Sequence, residues 1–183
     1  MVNLGQWQLN RHNERKDFNA TLVQRFDAPI QPLETLLQSA KPEDIEWMPA
    51  AITGTYLQGE DISMVNVSQN GVAGYNAVTP MLLEDGMVVL VNRGFMPLAD
   101  AFPPAPSGEV SLLGRVRASS ERRTGAVSDP ATGELTEVQR IDLNRLQKQI
   151  DGKLAPVYVQ LLKSTPAEAP TLSTPKVREC SQP

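Results

Sequence analysis

Residues 74–94 read GYNAVTPMLLEDGMVVLVNRG, and this stretch decides the fold. The Glu-Asp-Gly triplet at 84–86 is a turn signal between two apolar runs. The run at 87–91 is unbroken, which is typical of a central strand buried on both faces. The stretch therefore predicts a β-hairpin. Pro80 lies inside its first strand and should mark an edge or a bulge, because proline has no N–H to donate.

Weaker signals on both sides of the hairpin complete the predicted architecture. Helices are predicted at 4–24, 32–40, from 42 onward, and at 143–150 after an Asp142 N-cap; strands are predicted at 52–57, 62–67, 109–118, 138–143 and 156–162. This order favours an α+β fold, with a mainly antiparallel β-sheet or a partly closed barrel, an N-terminal helix and short peripheral helices. The predicted units are a helix at 1–27, a soluble α+β domain at 28–163 and a Pro/Ser/Thr-rich tail at 164–183.

Composition excludes several classes of function. The chain has 183 residues, of which 40% are hydrophobic and 21% charged, so it can fold around a core. Its net charge of −4 argues against a nucleic-acid partner. One Cys and one His exclude an intrachain disulfide and disfavour a His- and Cys-built metal site, so no metal ligand is assigned. No phosphate-binding glycine pattern and no acid–base pair is found, which argues against an enzyme. No run approaches the ~20 apolar residues of a membrane span.

Three segments carry the functional signal. They are LGQWQLNR at 4–11, GYNAVTP at 74–80 and LVNRGFMP at 90–97. In order and separation they resemble the Surfeit-locus-one family, whose pattern opens with L-G-x-W-Q-L-x-R and continues with G-x-x-V-x-T-P and V-L-V-N-R-G-[WF]-[VM]-P. The segment RHNER at 11–15 looks most like actinobacterial members. The resemblance extends over about residues 4–172.

The resemblance implies a function that composition cannot give. Family members are membrane-anchored assembly factors for cytochrome c oxidase, and two transmembrane helices flank an extracytoplasmic domain. The implied roles are delivery of haem a and stabilisation of oxidase subunit one, without enzymatic activity. The implied location is the cell membrane, with this domain on the extracytoplasmic side. The spans that would contact lipid have no counterpart here, so we expect either an excised domain or an atypical soluble member. The alternative function is a ligand-free protein-interaction module.

Four residues are candidates for contact with a cofactor or a partner: Trp7, Arg11, Tyr75 and Arg93. Trp7 and Arg11 lie one helical turn apart; they either anchor a helix at the lipid interface or contact haem or the oxidase. Arg93 either completes a structural turn or presents its guanidinium to a haem propionate or a partner carboxylate, with Tyr75 and Thr79 on the paired strand. The only His is His12, in a charged run, so we expect no cofactor bound by this segment; haem a is a candidate ligand of the full-length protein only.

Overall fold

The computed structural model describes residues 20–120 and 129–168, and strands dominate it. Helical residues 20–26 are labelled α1; the other helices are α2 (Leu33–Ser39), α3 (Pro42–Ile45) and α4 (Leu143–Leu146). The strands are β1 (Gln31–Pro32), β2 (Pro49–Tyr56), β3 (Ile62–Gln69), β4 (Val72–Leu83), β5 (Met87–Pro97), β6 (Glu109–Ala118), β7 (Glu137–Val138) and β8 (Lys153–Thr165). No helix among the described residues is long and apolar enough to cross a membrane.

The predicted hairpin is confirmed. β4 and β5 pair antiparallel, and Thr79 lies directly opposite Val91. The turn between them uses Gly86 at φ 82°, a conformation that costs glycine little because it has no Cβ. The hairpin is the longest pairing in the sheet, so it fixes where the other strands attach.

The sheet is mixed, with both antiparallel and parallel pairings, so the prediction of a mainly antiparallel sheet is not confirmed. Its strand order is β1-β2-β6-β8-β5-β4-β3-β7. β8 runs parallel to β5, because the chain crosses over through β6, β7 and α4 before it returns beside the hairpin. β2 also pairs with β4, but only over three residue pairs, so the sheet curls without forming a clear barrel. The coarser expectation of a strand-rich fold with short helices is confirmed.

Pro80 lies neither at a bulge nor on an outer strand, but at the point where the strand that pairs with β4 changes. β4 pairs with β3 up to Val78 and with β2 from Met81 onward. Pro80 therefore lies in the gap between these two pairings, where its missing N–H leaves no ladder bond broken. Its carbonyl accepts a hydrogen bond from the Leu57 N–H, at 2.9 Å.

The sheet separates two apolar cores. Val89 and Val91 of β5 point into the first core, whereas Val88 and Leu90 point into the second. β2, β4, β6, β8 and helix α2 supply most of the first core, and residues 135–150 cover the second. The strand predicted to be buried on both faces is therefore confirmed.

The ends of several elements differ from the prediction. The Asp142 N-cap of α4 is confirmed, since its side chain accepts a bond from the Arg145 N–H at 3.1 Å, but α4 ends at Leu146 rather than at residue 150. β8 is longer than predicted and extends to Thr165. Most of the predicted N-terminal helix at 4–24 lies outside the described residues, and only its last residues fall within α1. The predicted division into units at 27 and 163 remains a prediction.

Candidate functional site

Arg93 stands at a bulge of the central hairpin. Val78 pairs with Asn92 and Ala77 pairs with Gly94, so Arg93 is the extra residue between them. Gly94 has φ 142°, a backbone conformation that a residue with a Cβ rarely adopts. Arg93 shares the face of β5 that carries Val89 and Val91, so its side chain points to the first core, where the guanidinium lies 5.5 Å from the Tyr56 ring centroid. The alternation along β5 thus places a cation at the first core, next to the bulge.

The buried guanidinium of Arg93 donates five hydrogen bonds, as many as it has N–H groups. Two end on the loop after β5: Nη1 binds the Pro103 carbonyl at 2.9 Å, and Nη2 binds the Pro104 carbonyl at 3.0 Å. A third, from Nη1, reaches the Thr79 hydroxyl at 3.4 Å. The residue is only 2% exposed. Arg93 therefore fastens the proline-rich loop to the sheet.

Glu168 supplies the counter-charge. Arg93 Nε and Nη2 both donate to its Oε2, at 2.9 and 2.7 Å, and the Tyr56 hydroxyl donates to its Oε1 at 3.0 Å. The side chains of Arg93 and Glu168 are 0% and 9% exposed. Burial raises the pKa of Tyr56, and the neighbouring Glu168 carboxylate raises it further. Tyr56 is thus held as a neutral donor, and we call Tyr56, Arg93 and Glu168 the carboxylate centre.

Thr79 joins the carboxylate centre to an acidic residue. Its hydroxyl accepts from Arg93 and donates to Asp61 Oδ1 at 2.5 Å. Asp61 borders a cavity with a volume of about 50 Å³. Sites for drug-sized ligands measure about 300–1,000 Å³, so this cavity is far too small for a macrocycle such as haem.

A second set of arginines lies on the other face of the sheet. Arg117 stacks on Trp47 at 3.7 Å and contacts Tyr158 at 5.8 Å, while Arg115 stacks on Phe26 at 4.1 Å. The Phe26 and Trp47 rings meet edge to face at 5.8 Å. We call these five residues the arginine–aromatic ladder. It attaches α1, which carries Phe26, to β6 and β8.

Two features accompany the ladder. Trp47 has φ 75°, which is unusual for a bulky residue. Its N–H donates to the Val116 carbonyl at 2.7 Å, and its ring contacts Arg117 and Phe26. Arg117 Nε also forms an ion pair with Glu46 at 3.2 Å, and the two side chains are 24% and 29% exposed. Burial lowers the pKa of Arg115.

The structure gives positions for two of the four candidate residues. Tyr75 stacks on Phe102 at 5.9 Å, and its hydroxyl donates to the Asp100 carbonyl at 3.2 Å. Tyr75 and Arg93 therefore hold the same loop, at different points. Trp7 and Arg11 lie outside the described residues. The suggestion that Thr79 shares a patch with Arg93 agrees with their hydrogen bond.

Sequence reasoning missed the two partners of Arg93. The sequence assigns Glu168 to the Pro/Ser/Thr-rich tail and Tyr56 to the predicted strand at 52–57, and it singles out neither residue as a candidate. Glu168 follows Arg93 by 75 positions, so no local spacing could reveal the pair. The pair forms only in the folded sheet, where β6 lies between β2 and the end of β8, and where β2 also pairs with β4 of the hairpin.

Two buried amide oxygens also stand out. Within the part of the chain that the structure describes, Asn76 Oδ1 and Asn92 Oδ1 have no hydrogen-bond partner, although the residues are 6% and 4% exposed. Across residues 20–120 and 129–168, no group of three or more His, Cys, Asp or Glu side chains is placed to hold a metal ion.

Comparison with known proteins gives consistent matches. The model of the SURF1 family matches residues 1–181. An uncharacterized SURF1-like protein of Mycobacterium tuberculosis is 26% identical over 180 residues, covering 94% of this chain and 66% of the relative. A SURF1-like protein of Monosiga brevicollis is 32% identical over 142 residues, covering 69% of this chain and 53% of the relative. Surfeit locus protein 1 of Homo sapiens is 28% identical over 141 residues, covering 66% of this chain and 46% of the relative. The chain thus spans between about half and two thirds of the length of these relatives.

Proposed function

Because the chain belongs to the SURF1 family, we propose that it serves as an assembly factor for cytochrome c oxidase. The observation that carries this proposal is the match of the family model over residues 1–181. The segments at 74–80 and 90–97, on which the resemblance rests, form the paired strands β4 and β5 that carry Thr79 and Arg93. The segment at 90–97 therefore supplies Arg93, one member of the carboxylate centre.

The proposed role is to stabilise oxidase subunit one while haem a is inserted, or to hold haem a before insertion. The domain works on the extracytoplasmic side of the cell membrane and catalyses no reaction. Spans outside this chain anchor it and contact the apolar macrocycle, and the water-side domain orients the partner. Trp7, Arg11, Tyr75 and Arg93 remain the proposed contact residues for cofactor or partner.

The geometry supports the second candidate, a protein-interaction module without a ligand of its own. A haem propionate binds best to a cation whose N–H groups are free to donate. All five N–H groups of Arg93 already donate, to Glu168, Thr79 and two loop carbonyls, so none is left for a propionate. Two of these bonds connect the loop at 98–108 to the sheet. That loop starts at Leu98, which is 68% exposed. A loop tied to the sheet that presents an exposed apolar residue suits docking to a protein.

The test uses the full-length protein that contains this chain. We expect oxidase subunit one to co-purify with it, and Leu98→Ser to reduce the amount recovered. Val23→Ser is the matched control, because Val23 is also an exposed apolar residue, at 57%, but lies on α1. Absence of subunit one from the wild-type preparation would contradict the assembly role.

A haem a titration separates the two candidates. Saturable binding by the full-length protein, with a shift of the haem absorption band, favours the haem-holding role. Recovery of subunit one without any haem binding favours the interaction module. We expect this chain alone to give no tight, saturable shift.

A further inference from the structure

The carboxylate centre is built like a receptor with a removable occupant. Tyr56 lies on β2 and Arg93 on β5, two strands that both pair with β4, and each residue binds a different oxygen of one carboxylate. Oε2 takes two N–H groups and Oε1 takes a hydroxyl, an arrangement that recognises both oxygens of a carboxylate. Glu168, by contrast, follows the last residue of β8, Thr165, by three positions.

The segment that carries Glu168 lies on the surface. Residues 165–167 are exposed, and only the Glu168 side chain reaches inward. Arg93 is enclosed, whereas Glu168 keeps 9% of its side chain exposed, so the carboxylate is the member of the pair that faces solvent. Withdrawal of Glu168 would leave an enclosed cation without its anion, a state that strongly favours entry of another carboxylate.

We propose that Tyr56 and Arg93 form a binding site for the side-chain carboxylate of a glutamate on an extended partner segment, that Glu168 fills this site in the free chain, and that Glu168 leaves when the partner binds. A protein glutamate on an extended segment is the expected ligand because the present occupant is one. The inference deepens the proposed docking role, yet it does not depend on oxidase being the partner.

Replacement of Glu168 by alanine tests the site with a minimal carboxylate. We expect the melting temperature of Glu168→Ala to rise in sodium acetate relative to sodium chloride of equal ionic strength. The rise should grow with the logarithm of acetate concentration once this exceeds Kd, reaching about 3–6 °C at a tenfold excess. Glu46→Ala is the matched control, because it also removes the anion of an arginine pair, but a solvent-accessible one. Equal effects of acetate on both variants, or none on either, would overturn the inference.

A peptide that copies residues 164–168 and ends in a C-terminal amide, so that the glutamate side chain is its only carboxylate, then distinguishes the source of the carboxylate. A larger rise with this peptide than with acetate at equal concentration indicates a protein segment, and the version with glutamine at its last position should give none. The inference of a peptide-specific site would be contradicted if the peptide and acetate raised the melting temperature equally. It would also be contradicted if the peptide did not raise it at all.

Exchange in the wild-type chain needs a separate measurement, which also serves if Glu168→Ala fails to fold. A protease specific for glutamate cuts after Glu168 only when the side chain has left the site. We expect the same peptide, ending in an uncleavable amide, to speed cleavage after Glu168 several-fold while cleavage after the exposed Glu84 stays unchanged. A constant ratio of the two cleavage rates would overturn the displacement step. Recovery of subunit one is unaffected by either result, so failure here is distinct from failure of the assembly role.

Discussion

Arg93 and Arg117 contact opposite faces of one sheet, and the protein neutralises their charges by different means. Arg93 is enclosed and donates five hydrogen bonds, two of them to the buried Glu168 carboxylate. Arg117 stays about a quarter exposed, stacks on Trp47 and pairs with Glu46 at the surface. Water solvates the second cation in part, but the first depends wholly on its protein partners.

This difference shows where the molecule has little tolerance for change. An enclosed charge that loses a partner cannot recruit solvent, so the loss is felt in full. A half-exposed charge exchanges a protein partner for water at small cost. The two regions should therefore respond to matched substitutions by very different amounts.

Arg93→Met should produce the largest effect. It removes the counter-charge of Glu168 and releases the carbonyls of Pro103 and Pro104, and breaking a buried ion pair in this way costs about 3–5 kcal/mol. Arg117→Met is the matched control and should cost only about 1–2 kcal/mol, from two cation–π contacts and one partly exposed ion pair. Urea unfolding followed by circular dichroism measures both. Similar losses in the two variants would refute the distinction.

Glu168→Gln should come next. It keeps the shape and one acceptor oxygen but leaves the Arg93 cation unpaired, so we expect a loss of about 2 kcal/mol, in the range for hydrogen bonds to charged groups. Glu84→Gln, in the exposed hairpin turn, should change stability by less than about 0.5 kcal/mol. The same unfolding experiment compares them. A neutral result for Glu168→Gln would mean that the pair contributes nothing to folding.

Alkaline pH should weaken the carboxylate centre through Tyr56. The pKa of Tyr56 is raised above its ordinary value of 10.0, first by burial and then by Glu168. Above pH 10 the unfolded chain loses this proton and the folded chain keeps it, so the free energy of unfolding falls as pH rises, by about 1.4 kcal/mol per pH unit. Tyr56→Phe should flatten this fall, measured as urea midpoints from pH 9 to 11.

Tyr75→Phe is the control for that experiment. Tyr75 is only partly buried, and its hydroxyl binds a loop carbonyl rather than a carboxylate. We expect its removal to leave most of the alkaline decline in place. Equal flattening in both variants would show that the carboxylate centre has no special part in it.

Local pattern predicts the parts of this structure that are local. The hairpin, its turn, the Asp142 cap and the burial of β5 on both faces follow from residue spacing and turn chemistry. The parallel pairing of β5 with β8 and the pairing of Arg93 with Glu168 do not, because both depend on strands that lie far apart in sequence. Arg93 could be chosen as a candidate from its motif, but its partner could be found only from the closed sheet.

Glu46→Gln should give the smallest effect and the clearest contrast. The Glu46–Arg117 pair is exposed on both sides, so its loss should cost less than about 1 kcal/mol at low salt. In 1 M NaCl the screening length falls to about 3 Å, and the cost should vanish. The loss from Glu168→Gln should persist in the same salt, because its partner is closed to ions. Unfolding of both variants in 0.05 and 1 M NaCl measures this directly. If the loss from Glu46→Gln did not depend on salt, the Glu46–Arg117 pair would be shielded from ions as fully as the Glu168–Arg93 pair. The two arginines would then not differ in their access to solvent.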